Sequence, residues 1–293
     1  MIIPPSYQSN RQHRSYRNEK KWIFTALARL AISTQALAIE ISPGDNDLTP
    51  AGTNALLVYQ QFATTDRLRE QGKTVSDQFG LDTSMIVLRY FHTFGINERS
   101  TLDLDTFVPF VKATGKHDAA GIDISGVADW TVATTYRRKL NENNDALILT
   151  GLLSLPTGSR ELSSDHLSLY VQAGYVKNFG KKWSMDMTGD VIFYGKDSNN
   201  FKKDVSFEIQ LIGRYHIDDT LSLGAGLGHL WGGETTDADG NKQCDRLQST
   251  NIRLTASKWI DNHQFQLQLG RDLSVKNGTV ENARVNLRYA YVF

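Results

Sequence analysis

The chain closes on Ala283-Arg-Val-Asn-Leu-Arg-Tyr-Ala-Tyr-Val-Phe293, a stretch that alternates with a period of two. Ala283, Val285, Leu287, Tyr289, Tyr291 and Phe293 fall on one face, and Arg284, Asn286, Arg288, Ala290 and Val292 on the other. Successive side chains of a β-strand point to opposite sides, so this pattern predicts a strand with one apolar and one polar surface. Its length matches a tilted strand that crosses a bilayer. The apolar face can sit in hydrocarbon, whereas the arginine face needs water or partners.

The same period extends back through the sequence. Phe265, Leu267 and Leu269 alternate with Gln264, Gln266 and Gln268, and Ile252, Leu254 and Ala256 alternate with Asn251, Arg253 and Thr255. Strands are expected near 53–63, 83–95, 101–112, 126–139, 145–155, 167–179, 182–195, 204–217, 220–231, 247–260, 263–274 and 282–293. Two of these are irregular. The 145–155 run is apolar on both faces, which leaves its register open. In 101–112, Phe107 and Pro109 share a face with Asp103 and Asp105. The links alternate between long and short: 64–82, 113–125, 156–166, 196–203, 232–246 and 275–281 are long, and those between them are turns. Outer-membrane barrels pair short periplasmic turns with longer external loops. The expected fold is therefore all-β: a transmembrane antiparallel up-and-down β-barrel of about twelve strands over 53–293, in the bacterial outer membrane with both termini periplasmic. Twelve strands at about 4.8 Å spacing and about 40° tilt give a cylinder roughly 24 Å across. Trp183, Trp231, Trp259, Tyr289 and Tyr291 lie near strand ends, where aromatic girdles form.

Composition agrees with this fold. Mean hydropathy is −0.37, as expected when only alternate residues face lipid, and no uncharged apolar run is long enough for a helical span. Residues 1–38 carry six basic residues against Glu19 and end in Ala36-Leu-Ala38, a basic region followed by an apolar region and a small-residue cleavage site. That pattern predicts a secretory signal, although Arg29 interrupts its apolar stretch. Residues 39–52 follow as a flexible periplasmic lead-in containing Pro43-Gly44-Asp45. Without the leader, 26 basic residues face 31 acidic ones, so electrostatics gives no reason to expect nucleic acid as a partner. The single cysteine, Cys244, allows no intrachain disulfide.

Several blocks resemble a known family: Gly52-Thr-Asn-Ala-Leu-Leu-Val-Tyr, Phe79-Gly-Leu-Asp-Thr, Leu155-Pro-Thr-Gly, Gln172-Ala-Gly-Tyr, Leu230-Trp-Gly-Gly-Glu-Thr and Leu267-Gln-Leu-Gly-Arg-Asp-Leu-Ser-Val. They are similar to the "putative meta-pathway of phenol degradation" outer-membrane family, which is described as transporter-like. The resemblance implies an outer-membrane barrel associated with aromatic catabolism. It carries over no binding residues.

Strand parity turns Arg89, Asp129, Arg137, Asp186, Asp190, Glu208, Arg214, Arg253, Asp272, Arg284 and Arg288 toward the lumen. Basic residues of the last strands opposite acidic ones of the middle strands would form a polarised pore, a channel or passive transporter for small solutes, and the family resemblance implies aromatic ones among them. The alternative is a structural or surface-interaction barrel whose lumen is plugged by salt bridges. No catalytic residue, metal site or cofactor is expected. The histidines occur singly, Gly224-x-Gly-x-Gly lies within a strand, and Asp237-Ala-Asp-Gly-Asn lacks the closing glutamate of a calcium loop. Expected partners are outer-membrane lipid and lipopolysaccharide, a small solute, and the barrel-assembly machinery, for which Tyr289, Tyr291 and Phe293 form the terminal signal.

Overall fold

A computed structural model describes residues 41–293. The expected signal and the first two residues of the lead-in lie outside the described residues. Twelve long strands follow one another: β1 Asn54–Glu70, β2 Leu81–Asn97, β3 Ser100–Gly115, β4 Trp130–Lys139, β5 Ala146–Leu155, β6 Ser168–Phe179, β7 Trp183–Tyr194, β8 Ser206–His216, β9 Leu221–Trp231, β10 Gln248–Ile260, β11 His263–Val275 and β12 Gly278–Val292. Each pairs antiparallel with the next, and β12 returns to β1, so the wall is a closed barrel. Phe293 takes part in the closure, since its N–H donates to the Asn54 carbonyl and the Asn54 N–H donates to its own, each at 2.9 Å. Closure leaves no unpaired edge in hydrocarbon.

The two faces separate as the period of two predicts. Leu254 is 57% exposed, whereas Arg253 beside it is 2% exposed. Ile209, Leu211, Leu227, Leu267 and Leu269 form the outer surface, and Gln210, Gln264, Gln266 and Gln268 are buried inside. This exposed apolar band is the lipid face of a barrel in the bacterial outer membrane.

The structure resolves both irregular runs. In β5, Ala146, Ile148, Thr150, Leu152 and Ser154 turn inward, with Leu149 and Leu153 outward. In β3, Asp103, Asp105, Phe107 and Pro109 all turn inward. At Pro109 the neighbouring strand changes: β3 pairs with β4 up to Phe107 and with the short strand Asp123–Val127 from Phe110. Proline has no N–H to offer a ladder, and the chain facing it breaks there at Ala128 and Asp129.

The links differ from expectation on one side of the barrel. β1 and β2 each run for 17 residues, beyond what a bilayer crossing needs. The expected long link 275–281 shrinks to Lys276 and Asn277 because β11 continues along β10 to Val275 and β12 pairs with β1 from Gly278 onward. On the periplasmic side, carboxylates fix the turns. Asp145 accepts from Lys177 Nζ (2.6 Å), the Asn178 N–H (2.9 Å) and Asn141 Nδ2 (2.9 Å), tying two turns together. These donors, led by Lys177, hold its carboxyl at about 2. A depressed carboxyl stabilises the fold above its unfolded pKa and loses that contribution as pH falls through its folded one. The tie is therefore expected to be complete above about pH 4 and lost toward pH 2. Acid denaturation of wild type and Asp145→Asn checks this: the difference between them should vanish within that window, and a constant difference down to pH 2 would refute it.

Candidate functional site

Ser42-Pro43-Gly44-Asp45 forms a turn in which the Asp45 N–H donates to the Ser42 carbonyl at 3.0 Å. Proline presets the second position, and Gly44, at φ +93°, fills the third, where a type II turn needs a positive angle. The Asp45 carboxylate caps the turn by accepting from the Ser42 N–H at 2.8 Å. This turn does not hang below the barrel. Residues 41–49, expected as a flexible periplasmic lead-in, run inside the wall at its periplasmic half.

The reason is charge. Asp45 pairs with Arg288 at 2.5 Å and lies 4.0 Å from Arg89, and its backbone carbonyl accepts from Arg137 at 3.0 Å. Asp47 receives both terminal nitrogens of Arg214, at 2.8 and 2.6 Å. Ile41 donates its N–H to Gln210 Oε1 at 3.2 Å, and its carbonyl accepts from Arg253 at 3.4 Å. Gln266 donates to the Pro43 carbonyl at 3.2 Å, and Asn46 donates to Thr188 at 3.3 Å. Leu48 packs on Ala146, Ile148 and Val176. Inward glycines of β9 leave room: a Cβ at Gly224 would lie 3.1 Å from the Pro43 ring, and one at Gly228 would lie 2.6 Å from the Arg253 guanidinium. Gly224-x-Gly-x-Gly is thus a place of close packing.

The residues read as lumen-lining have specific neighbours. Arg214 also pairs with Asp186 at 2.9 Å, Arg137 with Asp103 at 2.7 Å, and Arg89 with Asp105 at 2.6 Å. Arg284 pairs with Glu281 of its own strand at 2.7 Å, and Asp272 accepts the Glu281 N–H at 2.8 Å. Asp129 sits at the break opposite Pro109 and accepts from the Gly158 and Ser164 N–H groups and the Ser164 hydroxyl. It anchors the 156–166 loop and is no free lumen charge. Arg89, Arg137, Arg214, Arg284 and Arg288 meet their carboxylates on an adjacent strand, on the same strand or in the inserted segment, rather than across an open lumen. The sequence reading missed Asp45, Asp47, Asp103 and Asp105. Their signal was the surplus of inward arginines, which need buried counter-charges.

Above the inserted segment the lumen changes character. Phe107, Ala133, Leu152, Tyr170 and Ile192, on the adjacent strands β3 to β7, form a buried apolar wall that Val87 and Tyr194 extend. Arg89 marks the boundary, its guanidinium 4.8 Å from the Phe107 ring centre and 5.4 Å from that of Phe91, with the Tyr59 hydroxyl 3.1 Å away. At the extracellular end, inward Leu68, Leu81, Val111 and Ala113 pack against Phe79, Ala119, Ile122 and Leu162 of the first three outer loops, so these loops fold over that side of the mouth. A separate open cleft of about 410 Å³ at the rim, lined by Asp66, Asp77, Asp82, Lys116 and His117, is polar and unlike the apolar wall.

The comparisons with known proteins fit this geometry. The COG4313 outer membrane channel from Pseudomonas putida F1 is 40% identical over 87% of this chain and 100% of its own, with a TM-score of 0.84. The β domain of the Bordetella autotransporter BrkA shares the barrel fold at 10% identity and a TM-score of 0.56, covering 83% of this chain and 100% of that one. The transport unit of the Escherichia coli autotransporter AIDA-I does so at 7% and 0.53, over 92% and 97%. No curated protein sequence matches the chain. The profile of one family matches residues 65–289, and on that match and the 40% relative the chain belongs to the family described as "Putative MetA-pathway of phenol degradation".

Proposed function

We propose that this protein is an outer-membrane channel for small apolar or aromatic solutes, with residues 41–49 as its periplasmic constriction. The observation that carries the reading is the apolar wall of Phe107, Leu152, Tyr170 and Ile192 facing inward from strands that also turn Asp103, Asp105, Thr150, Gln172 and Asp190 inward. A barrel filled only for stability would not need that band beside ion pairs. The 40% identical outer-membrane channel supports a transport role. No catalytic step is required of any residue here.

A plugged structural barrel is the second reading, and Arg137, Arg214, Arg253 and Arg288, which hydrogen-bond to residues 41–49, favour it. Uptake into proteoliposomes separates the two. The channel reading expects phenol or toluate to enter faster than through protein-free vesicles, and Leu152→Asp to slow that entry several-fold while the barrel stays folded. Equal rates with and without protein would sink it. We also propose that Tyr289, Tyr291 and Phe293 form the signal read by the barrel-assembly machinery. Deleting Phe293, which closes β12 on β1, should lower the folded, heat-modifiable fraction recovered from outer membranes, and an unchanged fraction would refute that role.

A further inference from the structure

Asp190 differs from the other inward carboxylates of its wall. Asp103, Asp105 and Asp186 each hold an arginine, whereas Asp190 receives only the neutral Gln172 amide, Nε2 to Oδ1 at 2.8 Å. Its second oxygen, Oδ2, accepts no hydrogen bond, and the residue is 6% exposed. A buried carboxylate with an unused oxygen is costly unless something positive meets it. Its surroundings suit a cation with an organic body. Tyr170 and Ile192 of the apolar wall pair with each other two residues along from the Gln172–Asp190 pair, and Glu208 stands directly opposite Asp190 across the β7–β8 pair. Carboxylates beside aromatic faces are the usual receptors for ammonium groups.

We propose that Asp190 is the anchor of a primary-ammonium site in the lumen. Two sources could supply that group. One is an amine-bearing solute, an arm that rests on the channel reading. The other is the chain's own amino terminus. The Ile41 N–H is held by Gln210, whose register partner Thr188 is two residues from Asp190. If the leader is cut after Ala38, the new ammonium lies only two residues beyond Ile41, a reach of up to roughly 7 Å.

The test uses the purified, processed protein, with its amino terminus read by mass spectrometry. Single-channel current is recorded with phenethylammonium and with neutral phenethyl alcohol, and the terminal amine is probed with 2-pyridinecarboxaldehyde before and after unfolding. If a solute fills the site, phenethylammonium alone blocks the current, and Asp190→Asn weakens the block at least about tenfold. If the terminus fills it, the amine is protected in folded wild type and becomes reactive in Asp190→Asn, with no phenethylammonium block. Gln172→Lys places a tethered ammonium directly across from Asp190 and should abolish whichever effect is seen, so the proposal stays testable if Asp190→Asn assembles poorly. A barrel that conducts ions, yet shows neither block nor protection dependent on Asp190, overturns the proposal and leaves the channel reading standing.

Discussion

Replacing Asp45 and Asp47 together by alanine is expected to raise single-channel conductance several-fold and to make residues 41–49 accessible to protease from the periplasmic side. The segment is held mainly by charge: Asp45 neutralises Arg288, which is 5% exposed, and Asp47 helps neutralise Arg214. Leaving a buried arginine without its partner costs about 3–5 kcal/mol. The barrel can escape that cost only by letting water reach the arginine, and water reaches it when the segment withdraws. Arg214 keeps Asp186 in the double variant, so Asp45 carries the larger share. Asp47→Ala alone should therefore open the lumen less than Asp45→Ala. Planar-bilayer recordings on the three variants, with limited proteolysis alongside, test the ranking. Wild-type conductance with a still-protected segment would show that the segment is held by packing of Leu48 and Pro43 instead.

Asp103→Ala is expected to be the most destabilising single change in the wall. Arg137 and Asp103 have side chains 4% and 2% exposed, joined at 2.7 Å, and the Thr93 hydroxyl donates to the other Asp103 oxygen at 2.8 Å. Removing the carboxylate leaves Arg137 with the Asp45 carbonyl alone, at a cost of about 3–5 kcal/mol. The double change Asp103→Leu with Arg137→Met should recover most of that loss, because replacing a buried pair by apolar side chains is often neutral. Guanidinium titration of the refolded barrels in detergent measures both. A loss below about 1 kcal/mol for Asp103→Ala would place this pair among the weak, solvent-screened ones.

The wall was legible because a lipid-facing strand forces apolar residues onto every second position. Leu254 against Arg253, and Leu267 and Leu269 against Gln266 and Gln268, carry that constraint locally. The strands near 145–155 and 101–112 were harder for a physical reason. Their inward faces meet the apolar wall rather than water, so Leu152 and Phe107 remove the polarity contrast that sets register. The interior was less legible still. Parity could turn Arg214 and Arg288 inward, but their partners lie 167 and 243 residues away, in a segment with no period to read. Asp129 was misjudged because parity extends only as far as the ladder does, and the ladder stops opposite Pro109.

The inserted segment also dictates where this protein tolerates a handle. Because Ile41 already sits among Gln210 and Arg253, an affinity tag or fluorescent protein joined just after the leader would have to share the lumen or drag the segment out of it. Such a fusion would report on a barrel unlike the native one. The exposed turn around Gly240, where the Asp237 carboxylate is satisfied by local N–H donors, is free of that conflict and is the better position for any label used to count or immobilise the protein.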